Sequence, residues 1–447
     1  MYANTGSYNS LTFQQKESIA LLSIGTFLEY FDLLLYVHMA VLLNDLFFPK
    51  TDPHTERLLA AFAFCSAYIL RPVGALIFGY LGDNFGRKST VIITTSLMSF
   101  CCIIMANLPT YAEIGISAAY VVTGCRILQG MATMGEVIGA DLYMTEITKP
   151  PIQYVTVTLI AICGVLGGTA ALGIASFVTS FGIGWRSAFW FGATIAVIGA
   201  VARTRLRETP DFVDAKRRIK NIVQQTQNDP AHLDKSAIWR EKVNKKTAIS
   251  LFFIECSWPV CFYFAYIYCS NVLKTSFSFT SQQIIQQNFL VSSIQLFSWI
   301  ILAYLSYKIH PLKIVRVRFI MFMIFVFCCP YLFTKSTLPI HVMFIQIVIV
   351  VFGFMGTPAI PIFYKHFPVV KRFTYATFSY ALSRALVYVA TSFGLVYCSE
   401  IFDNYVIVVV MVPVGATFYY AIHHFQRLEN DYEHNFTHFP ALAQKIA

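Results

Sequence analysis

Glu29 and Asp32 stand three residues apart in an otherwise apolar run, so on a helix they share one face. Two carboxylates held together in a low-dielectric medium resist joint ionisation, and one keeps its proton near neutral pH. A proton-coupled carrier needs such a group, and Asp32 is the preferred member of the pair. The competing reading pairs each acid with an arginine and leaves it a packing role. In another apolar run Arg126 and Glu136 are ten residues apart, roughly 15 Å along a continuous helix, on one face but out of contact. Arg126 has the planar fork that grips a carboxylate at two points, which suits an anionic substrate group; a structural ion pair is the alternative. Glu136 is a further proton candidate or part of a gate. Arg71 precedes Pro72, where a helix loses a backbone hydrogen bond, and either neutralises Asp32 or Glu29 or meets the substrate. Tyr36 joins these as a substrate-binding candidate. Later in the chain stand Glu255 and Arg384. If they meet, they form a charge pair whose making and breaking gates a site; otherwise Arg384 is left to bind an anionic substrate. Trp258, Tyr263, Phe264, Tyr266 and Tyr268 crowd the run that holds Glu255. They suit either a cage for a quaternary ammonium or ordinary packing and interfacial positions.

Such groups inside apolar runs face a cavity or a partner, because lipid is a costly place for charge. The composition says that lipid is the solvent. Of 447 residues 57% are hydrophobic and only 13% charged, against about 25% charged in soluble domains. Runs long enough to cross a bilayer fall near 18–43, 58–82, 89–107, 115–140, 153–180, 187–206, 248–272, 284–306, 315–334, 340–362, 374–398 and 404–423. The expected fold is therefore an all-α polytopic membrane protein with twelve spans in two six-helix halves. Continuous rather than alternating apolar runs exclude a β-barrel. The expected organisation is a tail over 1–16, a first half over 17–206, a central loop over 207–246, a second half over 247–423 and a tail over 424–447. Residues 1–16 are polar and do not read as a signal peptide. The eleven cysteines lie mostly in apolar runs without metal-site spacing and read as small apolar residues.

Charge sets the orientation. With both termini inside, 25 of the 33 Lys and Arg residues fall on the cytoplasmic side, twelve of them between Arg203 and Lys246. This matches the excess of basic residues on cytoplasmic loops and requires an even number of crossings. The basic central segment reads as a loop against anionic head groups, not as a nucleic-acid site.

Between the second and third runs the sequence is Gly79-Tyr80-Leu81-Gly82-Asp83-Asn84-Phe85-Gly86-Arg87-Lys88. It resembles the G-x-L-[GA]-D-R-x-G-R-[RK] signature of the major facilitator superfamily, with Asn84 in place of the usual Arg. The resemblance implies that Gly79, Gly82, Asp83, Gly86, Arg87 and Lys88 form a cytoplasmic gate between two six-helix halves. Residues 20–212 resemble one branch, the metabolite:proton symporters, which include bacterial proline/betaine and ketoglutarate permeases. The carriers of that resemblance are Gly25 to Leu33, Arg71-Pro72-Val73-Gly74, Arg126 to Gly130 with Gly135-Glu136, Gly184-Trp185-Arg186 and Glu208-Thr209-Pro210. The second half departs from the pattern: where the loop signature should recur, Tyr307 replaces the acid and the glycines are gone.

No P-loop, G-x-S-x-G, H-E-x-x-H or dinucleotide fingerprint occurs. The expectation is a non-enzymatic, alternating-access symporter of the inner membrane, without cofactor or metal, driven by the proton gradient. Its expected partners are a small zwitterion or carboxylate, H+ and the bilayer, with no nucleic acid and no second subunit. An exporter of the same fold and a carrier-derived receptor are the rival readings.

Overall fold

The computed structural model of the protein describes residues 12–85, 87–135, 137–204, 243–402 and 405–438. Every regular element among them is helical. The first half comprises α1 (Phe13–Phe47), α2 (Pro53–Ile69), α3 (Arg71–Phe85), α4 (Arg87–Asn107), the short α5 (Tyr111–Ile114), α6 (Ile116–Ala132), α7 (Val137–Ile147), α8 (Ile152–Ser180) and α9 (Arg186–Thr204). The second comprises α10 (Lys245–Phe262), α11 (Cys269–Ser276), α12 (Ser281–Lys308), α13 (Pro311–Thr334), α14 (Pro339–Phe352), α15 (Ile360–Lys365), α16 (Val369–Phe402) and α17 (Val406–His438).

These make twelve membrane-crossing segments, because four crossings are built from two helical pieces. Each break has a local cause or marks a site. α2 gives way to α3 at Leu70, where Pro72 cannot donate to the carbonyl of Tyr68. α6 gives way to a 3-10 turn, Thr133–Gly135, before α7. A continuous fourth span, as the sequence suggests, is therefore replaced by two rods, with Arg126 on the first. α10 passes through a π-helical turn, Tyr263–Tyr268, into α11. The tenth crossing is interrupted over 353–359, between α14 and α15. At the end of the chain α17 runs on to His438, about four turns beyond 424, so the described part of the expected tail is helical.

Within the first half α1 packs along α8, and α4 along α9; within the second, α10 packs along α16 and α17. The halves meet along two seams, α8 against α12 and α2–α3 against α16. Close approach is built into small residues. A side chain at Gly130 would strike the Ala67 carbonyl, and one at Gly167 the Phe27 carbonyl, so α6 meets α2, and α8 meets α1, backbone to backbone. The outward surface is apolar: Leu76, Phe297, Ile324 and Ile401 are all more than half exposed. In water such a surface would drive aggregation; in a bilayer it matches its solvent.

Candidate functional site

The site begins with a proline. Pro259 lies inside α10 and cannot donate to the carbonyl four residues earlier, which is that of Glu255. Arg384 of α16 takes the place of the missing donor. Its Nη1 donates to the Glu255 carbonyl at 3.0 Å and to the Glu255 Oε2 at 2.6 Å, with a third bond to Ser383 Oγ at 3.1 Å. The guanidinium also stacks 3.6 Å from the centre of the Tyr380 ring. One proline thus fixes a charge-assisted pair between α10 and α16. Of the two alternatives the sequence leaves open for these charges, the structure brings them together.

This pair borders a cavity of about 170 Å³ between the halves. That is smaller than the about 300–1,000 Å³ that holds a drug-sized ligand, and it suits a solute of few heavy atoms. Its walls come from α1, α3, α7 and α8 on one side and from α10, α12, the 353–359 segment and α16 on the other. Arg71 lines it, only 2% exposed, with its guanidinium 4.3 Å from the Tyr68 ring centre. Its Nε and one terminal nitrogen have no hydrogen-bond partner. Buried guanidinium N–H groups carry a high cost unless something accepts from them, so Arg71 is the cavity's open cationic site. Of the aromatic residues in the seventh crossing, Trp258 and Tyr266 line the cavity, the latter donating to Gln295 Oε1 at 2.8 Å. Tyr268 packs instead against Phe333.

Other expected substrate contacts lie elsewhere. Arg126 is fully buried inside the first half, where Nη1 donates to the Leu33 carbonyl at 3.3 Å and Gln129 Oε1 at 3.5 Å. Tyr36 covers its guanidinium at 4.4 Å. Neither lines the cavity, so the expectation that they touch its contents is corrected: they stitch α1 to α6 behind its wall. Glu29 and Asp32 are buried and likewise absent from the lining. Asp32 faces Gly192 and Cys102, toward α9 and α4. Both acids have partners in the structure. Glu136 and Gly86 lie outside the described residues. Gly79, Gly82 and Asp83 fall in the last turns of α3, and Arg87 and Lys88 open α4, but the side chains that would form the gate are also outside them.

Ion pairs join the halves on both sides of the cavity. At the face opposite the termini, Glu400 Oε1 accepts from Arg57 at 2.7 Å and lies 3.2 Å from His54, and Lys274 meets Asp45 at 3.5 Å. At the face that carries the termini, Arg372 meets Glu146 at 3.4 Å. Each joins one half to the other. Midway, the Tyr30 and Tyr380 hydroxyls lie 3.3 Å apart.

A cavity between two six-helix bundles is the geometry of an alternating-access carrier. The sequence profile of the Major Facilitator Superfamily matches residues 22–395. The chain belongs to that superfamily. It is a membrane transporter, not an enzyme. Among curated proteins it is similar to the proline/betaine transporter of Salmonella typhimurium, 32% identical over 214 residues, which are 44% of this chain and 41% of that protein. It is 36% identical over 203 residues to a putative metabolite transport protein of Haemophilus influenzae, covering 43% and 45% of the two chains. It is 32% identical over 224 residues to the inner membrane metabolite transport protein YhjE of Escherichia coli, covering 48% and 51%. The chain thus spans about half or less of the length of the curated relatives it matches. Among solved structures the proton:xylose symporter XylE bound to 6-bromo-6-deoxy-D-glucose superposes with a TM-score of 0.71 at 15% identity, over 92% of this chain and 95% of that one. At that identity the likeness shows the shared fold.

This transporter also has cavity residues that the sequence reading passed over. Asp141 on α7 and His38 on α1 both line the cavity and are buried. His38 stacks edge-on against Tyr266, ring centres 5.3 Å apart. Asp141 sits one residue beyond the apolar run as read from sequence, which ends at 140. An acid in the phrase Gly139-Ala140-Asp141-Leu142-Tyr143 was the available signal.

Proposed function

We propose that this facilitator is a proton-coupled symporter that imports a small solute with a carboxylate, either a zwitterionic osmolyte such as proline or betaine or a small organic acid. The observation that carries this reading is Arg71: a buried guanidinium on the cavity wall with two nitrogens unsatisfied. A substrate carboxylate supplies the missing acceptors. The cavity volume limits the solute to a small one, and the aromatic lining from Trp258, Tyr266 and Tyr388 accommodates an apolar or methylated ammonium end. The printed names of the curated relatives support the solute class, and the proton symporter among the fold neighbours supports the energy source. Arg384, paired with Glu255, is available to the same carboxylate if the pair opens. Glu29 and Asp32, behind the wall, are proposed to act on the proton through the packing of α1, with Arg126 and Tyr36 holding that helix in register. The protein is proposed to work as a monomer in the inner membrane with both termini in the cytoplasm, as the basic residues require, and to use no cofactor.

The test is uptake of radiolabelled proline, glycine betaine and ketoglutarate into proteoliposomes under an inward proton gradient. Accumulation of one solute that a protonophore abolishes is the expected result. Arg71→Ala should abolish it. Arg71→Lys should leave weak uptake with a raised KM, because an ammonium keeps the charge but not the two-point grip. Equal uptake with and without the gradient would remove the proton from the mechanism, and full activity of Arg71→Ala would remove the carboxylate contact.

A further inference from the structure

Several cations of the second half at the termini-bearing face already have acceptors. Arg318 donates to the Val351 carbonyl at 2.6 Å, Lys365 and His366 hold Glu429, and Arg372 meets Glu146. Arg316 on α13 differs from these. It is exposed, and among the described residues it has no ion pair, hydrogen bond or ring contact. It borders a shallow groove between α13 and α17, two helices that pack along each other. The groove shares no residue with the central cavity and opens on the outer surface of the second half.

Its lining is ordered from apolar to polar along the membrane normal. Phe319 stacks on Tyr419 with ring centres 5.6 Å apart, and Tyr419 stacks on His423 at 6.2 Å with the planes 8° apart. Gln426 lies one turn beyond His423 on α17 and adds a carboxamide. The end toward the termini therefore carries Arg316, His423 and Gln426, all able to donate, while the deeper end is ringed by aromatics and no acid lines the groove. Arg316 lies roughly 8 Å along α13 from Pro311, near the depth of the head groups. Below it, Ile320, Ile324 and Phe327 form an exposed strip at i+4, i+8 and i+11 on the same face of α13. One cation thus heads a stripe of apolar surface that runs into the hydrocarbon, which is the shape of an anionic amphiphile.

We propose that this groove is a binding site for one anionic glycerophospholipid of the bilayer. The Arg316 fork grips two oxygens of the phosphodiester. His423 and Gln426 donate to the remaining phosphate oxygen and to the polar head beyond it. The glycerol backbone lies against Tyr419 and Phe319, and an acyl chain follows the strip from Ile320 to Phe327. A zwitterionic lipid carries the same phosphate but adds an ammonium, and the groove has no acid to receive it. Net charge therefore selects the occupant, as in other basic pockets between spans. A free phosphate ion would find the donors but leave the apolar strip unused. Bound in this way, the lipid bridges α13 and α17 and steadies α17 where it leaves the bilayer on its way to His438.

The site does not depend on which solute the carrier moves, and its test needs none. The full chain in detergent is titrated with palmitoyl-oleoyl phosphatidylglycerol or phosphatidylethanolamine, and the first bound lipid is counted by native mass spectrometry. Phosphatidylglycerol should bind more tightly by on the order of fivefold. Arg316→Ala should remove about that factor and bring the two lipids level; the side chain is exposed and makes no contact, so its loss leaves the fold alone. Lys149→Ala removes an exposed charge at the same face of the first half and should change nothing. Arg316→Ala combined with His423→Ala should lose less than the product of the two single losses, because both side chains hold one head group. The site is overturned if Arg316→Ala binds phosphatidylglycerol like the parent, or if Lys149→Ala costs as much, which would make the attraction diffuse. It is equally overturned if the single losses multiply in full, or if inorganic phosphate displaces the lipid, since the donors would then serve a free anion.

Discussion

At the scale of single residues, Pro259 decides most of the chemistry. It removes the helical donor from the Glu255 carbonyl, and that carbonyl and the carboxylate beside it then hold Arg384. Replacing it tests this chain of cause. Pro259→Ala restores an N–H within reach of the Glu255 carbonyl, a hydrogen bond worth about 1 kcal/mol, and competes with Arg384 for it. The expected result is a raised Tm by scanning fluorimetry and a lowered rate of uptake, because the arginine loses one of its anchors. A lowered Tm would show that the proline serves packing instead. Glu255→Ala should be the more damaging change, since it strands a half-buried guanidinium beside the Tyr380 ring; loss of folded yield that Glu255→Gln largely avoids would check it. The sequence singled out Glu255 and Arg384 as the acid and the arginine in the middle of the later spans but left open whether they meet. Which charges open onto the cavity was not legible there either. Arg71 and Arg126 read alike as buried arginines, and each keeps Nε and one terminal nitrogen without a partner, but Arg71 lines the cavity while Arg126 lies behind its wall against Tyr36, Gln129 and the Leu33 carbonyl. That distinction depends on which helix each one meets.

At the scale of elements, the crossings were legible because a bilayer imposes a length on every apolar run, and the twelve runs correspond to twelve crossings. The breaks were less so. Gly353, Gly356 and Pro358 flag the interruption of the tenth crossing, and Pro72 flags the joint between α2 and α3. The 3-10 turn at 133–135 contains no proline, so nothing local announces it; Thr133 there donates to the Gly130 carbonyl at 2.8 Å, and Gly130 itself is pressed against Ala67. Tertiary packing, not propensity, ends α6. The same close packing makes a sharp prediction. Gly130→Val should prevent recovery of a monodisperse protein on size-exclusion chromatography, because its side chain would overlap backbone of α2, which cannot shift as a flexible side chain can. Gly124→Ala, on the same helix with nothing within 4 Å of the added carbon, should elute and melt like the parent. Similar behaviour of the two variants would mean that α6 and α2 tolerate separation.

At the scale of the whole molecule, contacts join the halves at both faces, and the two sets differ in kind. At the termini-bearing face α7 packs on α15 and α16, and the pair between exposed Glu146 and largely buried Arg372 adds to contacts already made. At the opposite face the ionic closure rests on one acid, Glu400, held by Arg57 and His54 across the seam, with Lys274 and Asp45 as a second, longer pair. All of these side chains are substantially exposed, so each pair contributes about 0.2–1 kcal/mol and weakens in salt. Small energies still matter here, because a carrier must pass between states separated by little. Removing Glu400 should therefore shift the balance toward opening at that face rather than unfold the protein. For Glu400→Gln the expected change is about 1.4- to 5-fold in the ratio of open to closed populations, read from label distances between Glu56 and Tyr405 across the seam. Raising salt from 0.05 to 0.5 M, on the order of a threefold cut in screening length, should move the parent in the same direction and leave the variant nearly still. A parent insensitive to salt would place the closure in the aromatic contacts of Phe64 and Tyr68 with Tyr388, which lie deeper along the same seam and do not answer to ions.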